Sequence, residues 1–393
     1  MKRFFDFASI TCADFIVRSA YQMGKTPLLP IFASQLGANS AFLGIIVAVS
    51  TCTGMILKPL IGLLSDRWGR RWWLLLGTVF FAVIPLLYRF VHSPEHLFAM
   101  RMVHGLATAI YGPVTLAFVV EHSQQRRAEN LGWFGMARHA GYIIGPAVSG
   151  WLLSMGIDPV SVFTLIGLMS MLAFVPICLL SEPASRPTVV PIPLRQHIVH
   201  ALQAGSRTLS VWLAGGLEAT VLLALYAAKA FLPLYALSLP LSLALVGAFF
   251  AVQEATHMLC KPVGGRLGDQ LGYGRSICLG MVVLGGAFLC VPWTRRAFDL
   301  ITLAVVMGGA QALIFPATVA LVSRQIGNQH VGAGMGLVGM LKNAGKIAGP
   351  ILGGFLMHWL NFALMLQCMG LLLLAGAGGV WFWAQRTPRR VEA

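Results

Sequence analysis

In this chain of 393 residues, hydrophobic side chains make up 57% and charged ones only 10%, a balance that leaves no polar surface for a soluble fold. A net charge of +15 would suit a nucleic-acid binder, but the basic residues fall at the ends of long apolar runs instead of forming one patch. Both facts point to an integral membrane protein with no nucleic-acid partner.

Twelve apolar spans are expected, near 8–34, 41–62, 72–92, 97–120, 131–155, 160–181, 209–237, 243–263, 276–294, 298–322, 331–357 and 361–385. Each is long enough to cross a hydrocarbon layer roughly 30 Å thick. The start, Met1-Lys2-Arg3 and an apolar run, looks like a signal sequence. Asp14 and Arg18 interrupt that run and no small-x-small site ends it, so the first helix is expected to be retained. With the amino terminus inside, sixteen Lys and Arg fall in cytoplasmic segments against three outside, which predicts cytoplasmic termini.

Taken in order, the first span carries Asp14, Arg18, Tyr21 and Lys25 at i, i+4, i+7 and i+11, one stripe of a helix. Between spans 2 and 3 lies Gly62-Leu-Leu-Ser-Asp66-Arg67-Trp-Gly69-Arg70-Arg71, a basic hairpin in which Gly62 lets backbones approach and Gly69 takes a positive φ. Span 4 holds Arg101, Gly105 and Pro113 and ends near Glu121; Arg101 lies about a turn inside the outer boundary, close enough to snorkel. Span 5 spaces Gly132, Gly141, Gly145, Pro146, Ser149 and Gly150 so that one face is bare of side chains, and adds Arg138 and Tyr142. Residues 182–207 are rich in proline and cannot continue a helix. They divide the chain into an N-terminal six-helix bundle (1–181), a cytoplasmic linker (182–207) and a C-terminal six-helix bundle (208–393).

The second half repeats the first. Lys58-Pro59 recurs as Lys261-Pro262, 203 residues later, and the same offset joins Pro30 to Pro233, Asp66 to Asp269 and Pro113 to Pro316. Glu218 and Lys229 answer Asp14 and Lys25, and Lys342 answers Arg138, at an offset of 204. Tyr226 lies between the first pair, and Lys346 follows Lys342 by one turn. Span 8 adds Glu254, His257 and Lys261, while span 11 repeats the glycine pattern as Gly336, Gly345, Gly349, Pro350 and Gly353. All seven cysteines lie in apolar runs without a Cys-x-x-Cys pair, which argues against a disulfide or metal role.

The decapeptide Gly62–Arg71 resembles the signature loop of the major facilitator superfamily, with every position filled. The glycine-proline pattern of span 5 resembles the motif that marks its exporting antiporters, departing from it at Ser149. The resemblance implies an all-α fold of twelve transmembrane helices in two six-helix bundles related by a parallel repeat, with eight helices lining a central cavity. It further implies a conformational latch of Gly62, Asp66, Arg67, Gly69, Arg70, Arg71, Glu121 and Asp269, in which Arg70 meets Glu121, and helix packing through the two glycine sets.

The expected function is a secondary active transporter, resembling the drug:proton antiporter branch, that exports an amphipathic organic solute by alternating access. It would need no cofactor beyond the proton gradient and would sit as a monomer in a bacterial inner membrane. Ionisable groups within spans are costly and face a cavity or each other. Asp14, Glu254 and Glu218 are therefore the proton-coupling candidates. Arg18, Tyr21, Lys25, Arg101, Arg138, Tyr142, Tyr226, Lys229, His257, Lys342 and Lys346 are the cavity candidates. For Asp14 an ordinary i,i+4 ion pair with Arg18 is the alternative. Nine basic against three acidic groups within the spans favour a second reading, transport of an organic anion or zwitterion. A membrane enzyme or receptor lacks support: there is no Walker loop, no His-Glu-x-x-His and no nucleophile elbow.

Overall fold

The computed structural model describes residues 2–122, 127–181, 209–238, 241–325 and 331–386. Among them there is no strand. Twelve principal helices follow one another: α1 Lys2–Met23, α2 Ser40–Trp68, α3 Arg70–Leu87, α4 Pro94–His122, α5 Arg127–Ser154, α6 Pro159–Met171, α7 Leu209–Leu237, α8 Leu243–Leu271, α9 Tyr273–Cys290, α10 Ala297–Gln325, α11 Val331–Trp359 and α12 Phe362–Arg386. The expected linker, 182–207, lies outside the described residues. Tight packing divides the chain into two units, Met1–Pro191 with Ala236–Ala251, and Ile192–Tyr235 with Val252–Ala393.

Among the described residues nine helices are long and apolar enough to cross a membrane, by length and composition. The three that do not qualify, α1, α5 and α11, carry Asp14 and Arg18, Arg138, and Lys342 with Lys346. α2 outruns its apolar stretch in reaching Trp68, because a polar end keeps helical hydrogen bonds beyond the hydrocarbon.

The first helix is broken where one continuous rod was expected. After Met23 the chain passes through a wide turn, Gly24–Leu28, with Thr26 extended at φ −146°, before a short helix Leu29–Gln35. Pro27 explains this, since a residue before proline is pushed out of the α region and the ring supplies no N–H.

The hairpins that follow α2 and α8 have one design. A single glycine separates α2 from α3 and α8 from α9, Gly69 at φ +89° and Gly272 at φ +90°. Only a residue without Cβ takes that conformation cheaply, so one residue reverses the chain. Helix starts are capped in matching register: Asn39 accepts from the Phe42 amide at 2.8 Å and Ser242 from Leu245 at 3.2 Å, while Asp158 and Asn361 each accept at 2.9 Å, from Ser161 and Leu364.

Candidate functional site

Within the first unit the α1 acid is gripped from α5. Asp14 is 2% exposed, and Arg138 forks onto it, Nε to Oδ2 and Nη2 to Oδ1, both at 3.0 Å. The same Nη2 donates to Thr115 Oγ1 of α4 at 3.1 Å, and the guanidinium lies 4.7 Å from the centre of the Phe134 ring. Arg18, the partner expected from i,i+4 spacing, stands further off at 3.6 Å. A bidentate fork satisfies both carboxylate oxygens, which a neighbour one turn along the same helix cannot reach in that geometry. One carboxylate thus faces two guanidiniums, and the cluster keeps a surplus positive charge.

The second unit repeats this arrangement with different chemistry. Glu218 of α7 is fully buried, pairs with Lys342 Nζ of α11 at 2.6 Å and accepts from the Thr318 hydroxyl of α10. Lys342 Nζ lies 5.3 Å from the Phe315 ring centre. Each repeat therefore carries a carboxylate, a cation and a threonine on corresponding helices. Thr115 and Thr318 were not singled out from the sequence, yet they are 203 residues apart, so the repeat register was the signal that marks them. Beside this trio Glu254 of α8 pairs with Lys229 at 2.8 Å and lies 3.7 Å from His257. The Lys229 and Lys346 ammonium groups lie 5.3 and 5.7 Å from the centre of the Tyr226 ring.

Arg101 does not snorkel. It is 1% exposed, inside the first unit, where its Nη2 donates to Ser50 Oγ of α2 at 2.5 Å. The Tyr21 hydroxyl lies 3.4 Å from the same oxygen, and Tyr88 bonds His104 Nδ1 at 3.2 Å nearby. The reason is close packing: a Cβ on Gly105 would lie 2.5 Å from Thr53 Cβ and 2.9 Å from the Ser50 carbonyl, so α4 rides against α2 and carries Arg101 inward. No ion pair to Arg101 occurs among the described residues. Lys25, displaced by the break after Met23, lies 5.8 Å from the Tyr21 ring centre, and the Tyr142 ring lies 6.1 Å from His139.

At the hairpin, Arg70 Nη2 donates to Glu121 Oε1 at 2.5 Å and Arg71 to the Cys178 carbonyl at 2.6 Å. These bonds tie α3 to the ends of α4 and of the short helix Phe174–Cys178. The side chains of Asp66 and Arg67 lie outside the described residues. In the second copy Asp269 accepts from the Tyr273 hydroxyl at 2.8 Å, a local bond across the turn. A Cβ on Gly62 would meet nothing within 4 Å, so its expected role in close approach is not what the packing uses.

The glycine sets divide in two. A Cβ on Gly145 would fall 2.6 Å from Gln22 Cβ and 2.8 Å from the Met23 nitrogen, and one on Gly141 would fall 3.0 Å from the Ser19 nitrogen. Gly345 and Gly349 abut the backbone of Ala219 and Leu223 in the same way, Gly353 approaches Ala227 and Phe231, and Gly150 approaches Leu243 and Gly247. Gly132 and Gly336 face open space. Pro146 and Pro350 lie inside their helices. The contact made by Gly141 and Gly145 is α5 on α1, and that made by Gly345 and Gly349 is α11 on α7. These contacts bring Arg138 to Asp14 and Lys342 to Glu218.

Comparison with known proteins places this geometry. The family model of the Major Facilitator Superfamily matches residues 12–253 and 216–393. An MFS-type transporter of Methanocaldococcus jannaschii is 25% identical over 346 residues, covering 86% of this chain and 88% of its own. The multidrug resistance protein MdtG of Serratia proteamaculans is 24% identical over 379 residues, 93% of this chain and 90% of its own. Among solved structures the nucleoside transporter NupG superposes with a TM-score of 0.80 at 12% identity, covering 97% of this chain and all of its own, a likeness of fold alone.

Proposed function

The chain belongs to the major facilitator superfamily, and on that premise we propose that it is a proton-coupled antiporter exporting an amphipathic organic solute by alternating access. As a member it is a multi-pass membrane transporter of small organic solutes and not an enzyme. The observation that carries the finer reading is the Asp14 cluster: a buried carboxylate held by the Arg138 fork, with Arg18 as a second cation in reach. An ionised Asp14 offsets one guanidinium and fastens α5 to α1. A proton on Asp14 abolishes that attraction and leaves two like charges together, so protonation changes which arrangement of α1, α4 and α5 is cheapest. A solute engaging Arg18 or Arg138 competes for the same charges, which couples its binding to the proton.

The Serratia relative, named for multidrug resistance, supports export of amphipathic molecules. The antiporter is proposed to act as a monomer in a bacterial inner membrane with cytoplasmic termini, driven by the proton gradient without a cofactor. Glu218 and Glu254 are the rival proton carriers. Proteoliposome flux under an imposed pH gradient, against a panel of cationic, neutral and anionic solutes, tests the proposal. Asp14→Asn should still exchange solute down its own gradient while losing pH-driven accumulation. Full pH-driven transport by Asp14→Asn together with its loss in Glu254→Gln or Glu218→Gln would move the proton site to the second half.

A further inference from the structure

The buried acids of α7 and α8 are already matched: Glu218 has Lys342 and Glu254 has Lys229. Lys346 is left over. Among the described residues no carboxylate lies within ion-pair distance of it, and its one close charge-relevant neighbour is the Tyr226 ring at 5.7 Å. It is half-buried and sits at the middle of α11, 15 residues after Val331 and 13 before Trp359. From the middle of a helix that crosses a hydrocarbon layer roughly 30 Å thick, the interface is about 15 Å away, too far for a four-carbon side chain to snorkel. The same distance keeps lipid headgroups from reaching it. A lone ammonium at that depth is costly unless an anion joins it.

We infer that the transported solute carries an anionic group, which Lys346 receives, with the Tyr226 ring beside it as an apolar platform. The inference rests on the transporter reading above and narrows its substrate class. Lys342 and Lys229, each neutralised by its own acid, do not compete for the anion, so the net positive charge of the group is that of Lys346. Glu218 and Glu254 are thereby occupied, so neither of these two acids stands ready to receive a solute cation. In the first unit Arg18 is the comparable surplus, standing 3.6 Å from an acid that Arg138 already holds.

The test uses a matched pair of probes, anilinonaphthalene sulfonate and its uncharged parent phenylnaphthylamine, with ethidium as a cation, in counterflow by the full chain in proteoliposomes without a pH gradient. Wild type should prefer the sulfonate over its parent. Lys346→Gln should lower sulfonate counterflow by about tenfold or more, the scale expected when one member of a charge pair is removed. Phenylnaphthylamine should change less than about twofold, and Lys346→Arg should restore most of the sulfonate flux because the positive charge is kept. The empty Lys346→Gln protein should melt no lower than wild type, since an uncompensated charge has been removed. A wild type without preference for the anion, or a Lys346→Gln variant that handles both probes equally well or loses both equally, overturns the inference. Counterflow that behaves as expected while a pH gradient drives nothing would instead overturn the antiport reading and leave the anion site standing.

Discussion

The Asp14–Arg138–Thr115 cluster and its repeat, Glu218–Lys342–Thr318, solve one problem with two chemistries. In the first, a guanidinium takes both oxygens of the acid and the threonine accepts from the guanidinium; in the second, an ammonium takes one oxygen and the threonine donates to the other. A fork fixes orientation as well as charge, while an ammonium is a point charge that swivels. The lesson is that duplication preserved the linkage of α1, α4 and α5, and of α7, α10 and α11, but not its rigidity. The first cluster is the stiffer one and also the one with an excess cation.

The sharpest way to break this comparison is to remove the acids. Asp14→Ala should destabilise the protein by about 3 kcal/mol, because two half-buried guanidiniums lose their counter-ion and are left facing each other. Glu218→Ala should cost less, since the single ammonium it strands is about a third exposed (31%) and can turn toward water. Thermal unfolding in detergent ranks the two, and equal losses would mean that the excess cation in the first cluster does not matter.

Packing comes next. Gly145→Val and Gly349→Val force α5 from α1 and α11 from α7, and should cost about 2–4 kcal/mol together with most transport, as overpacking against backbone does. Gly132→Ala and Gly336→Ala, in the same helices but in open space, should stay within about 0.5 kcal/mol of wild type. Normal transport by Gly145→Val would separate the glycine pattern from the cluster it positions.

Swapping the cations is subtler. Arg138→Lys surrenders the fork and should cost about 1–2 kcal/mol, while Lys342→Arg should be within about 1 kcal/mol of neutral. A double-mutant cycle with Thr115→Val, read by unfolding, should show coupling to Arg138 of about 0.5–1.5 kcal/mol. No coupling would reduce that threonine to packing.

The smallest effect lies at the helix caps. Hydrogen bonds from the Ser161 hydroxyl and backbone amide hold the Asp158 carboxyl below its usual range, so the charge-dependent part of this cap is present above the ordinary aspartate value and is lost as pH falls through the lower folded one. Asp158→Ala should cost about 0.5–1 kcal/mol near neutral pH and less in strong acid. Asn361→Ala, at the repeat position, should cost a similar amount at every pH. A pH-dependent penalty at Asn361 would show that the difference does not come from the cap.

Much of the fold was legible because membranes impose simple rules. Apolar length marked the helices, the 203-residue register marked the duplication, and Gly69 was readable as a turn because only glycine tolerates that φ. The pairing of Arg70 with Glu121 came from resemblance to the superfamily, and the two residues do meet. The cluster was only half legible. Periodicity put Asp14 and Arg18 on one face and suggested that they pair, whereas Arg138, 124 residues away, holds the acid more closely. For Arg101 the snorkelling alternative stayed open for the same reason, since distance along a helix measures depth in the bilayer and says nothing about which neighbour presses against it; the side chain is buried.

The amino-acid sequence by itself determined a twelve-helix repeat and which helices carry charge, since hydrocarbon length and the cost of intramembrane charge act on each segment alone. Tertiary structure decided which acid meets which base, where helix 1 breaks its line, and which glycines touch a backbone. Those outcomes depend on close contact between helices distant in sequence, where a shift of one methyl group decides whether two side chains meet.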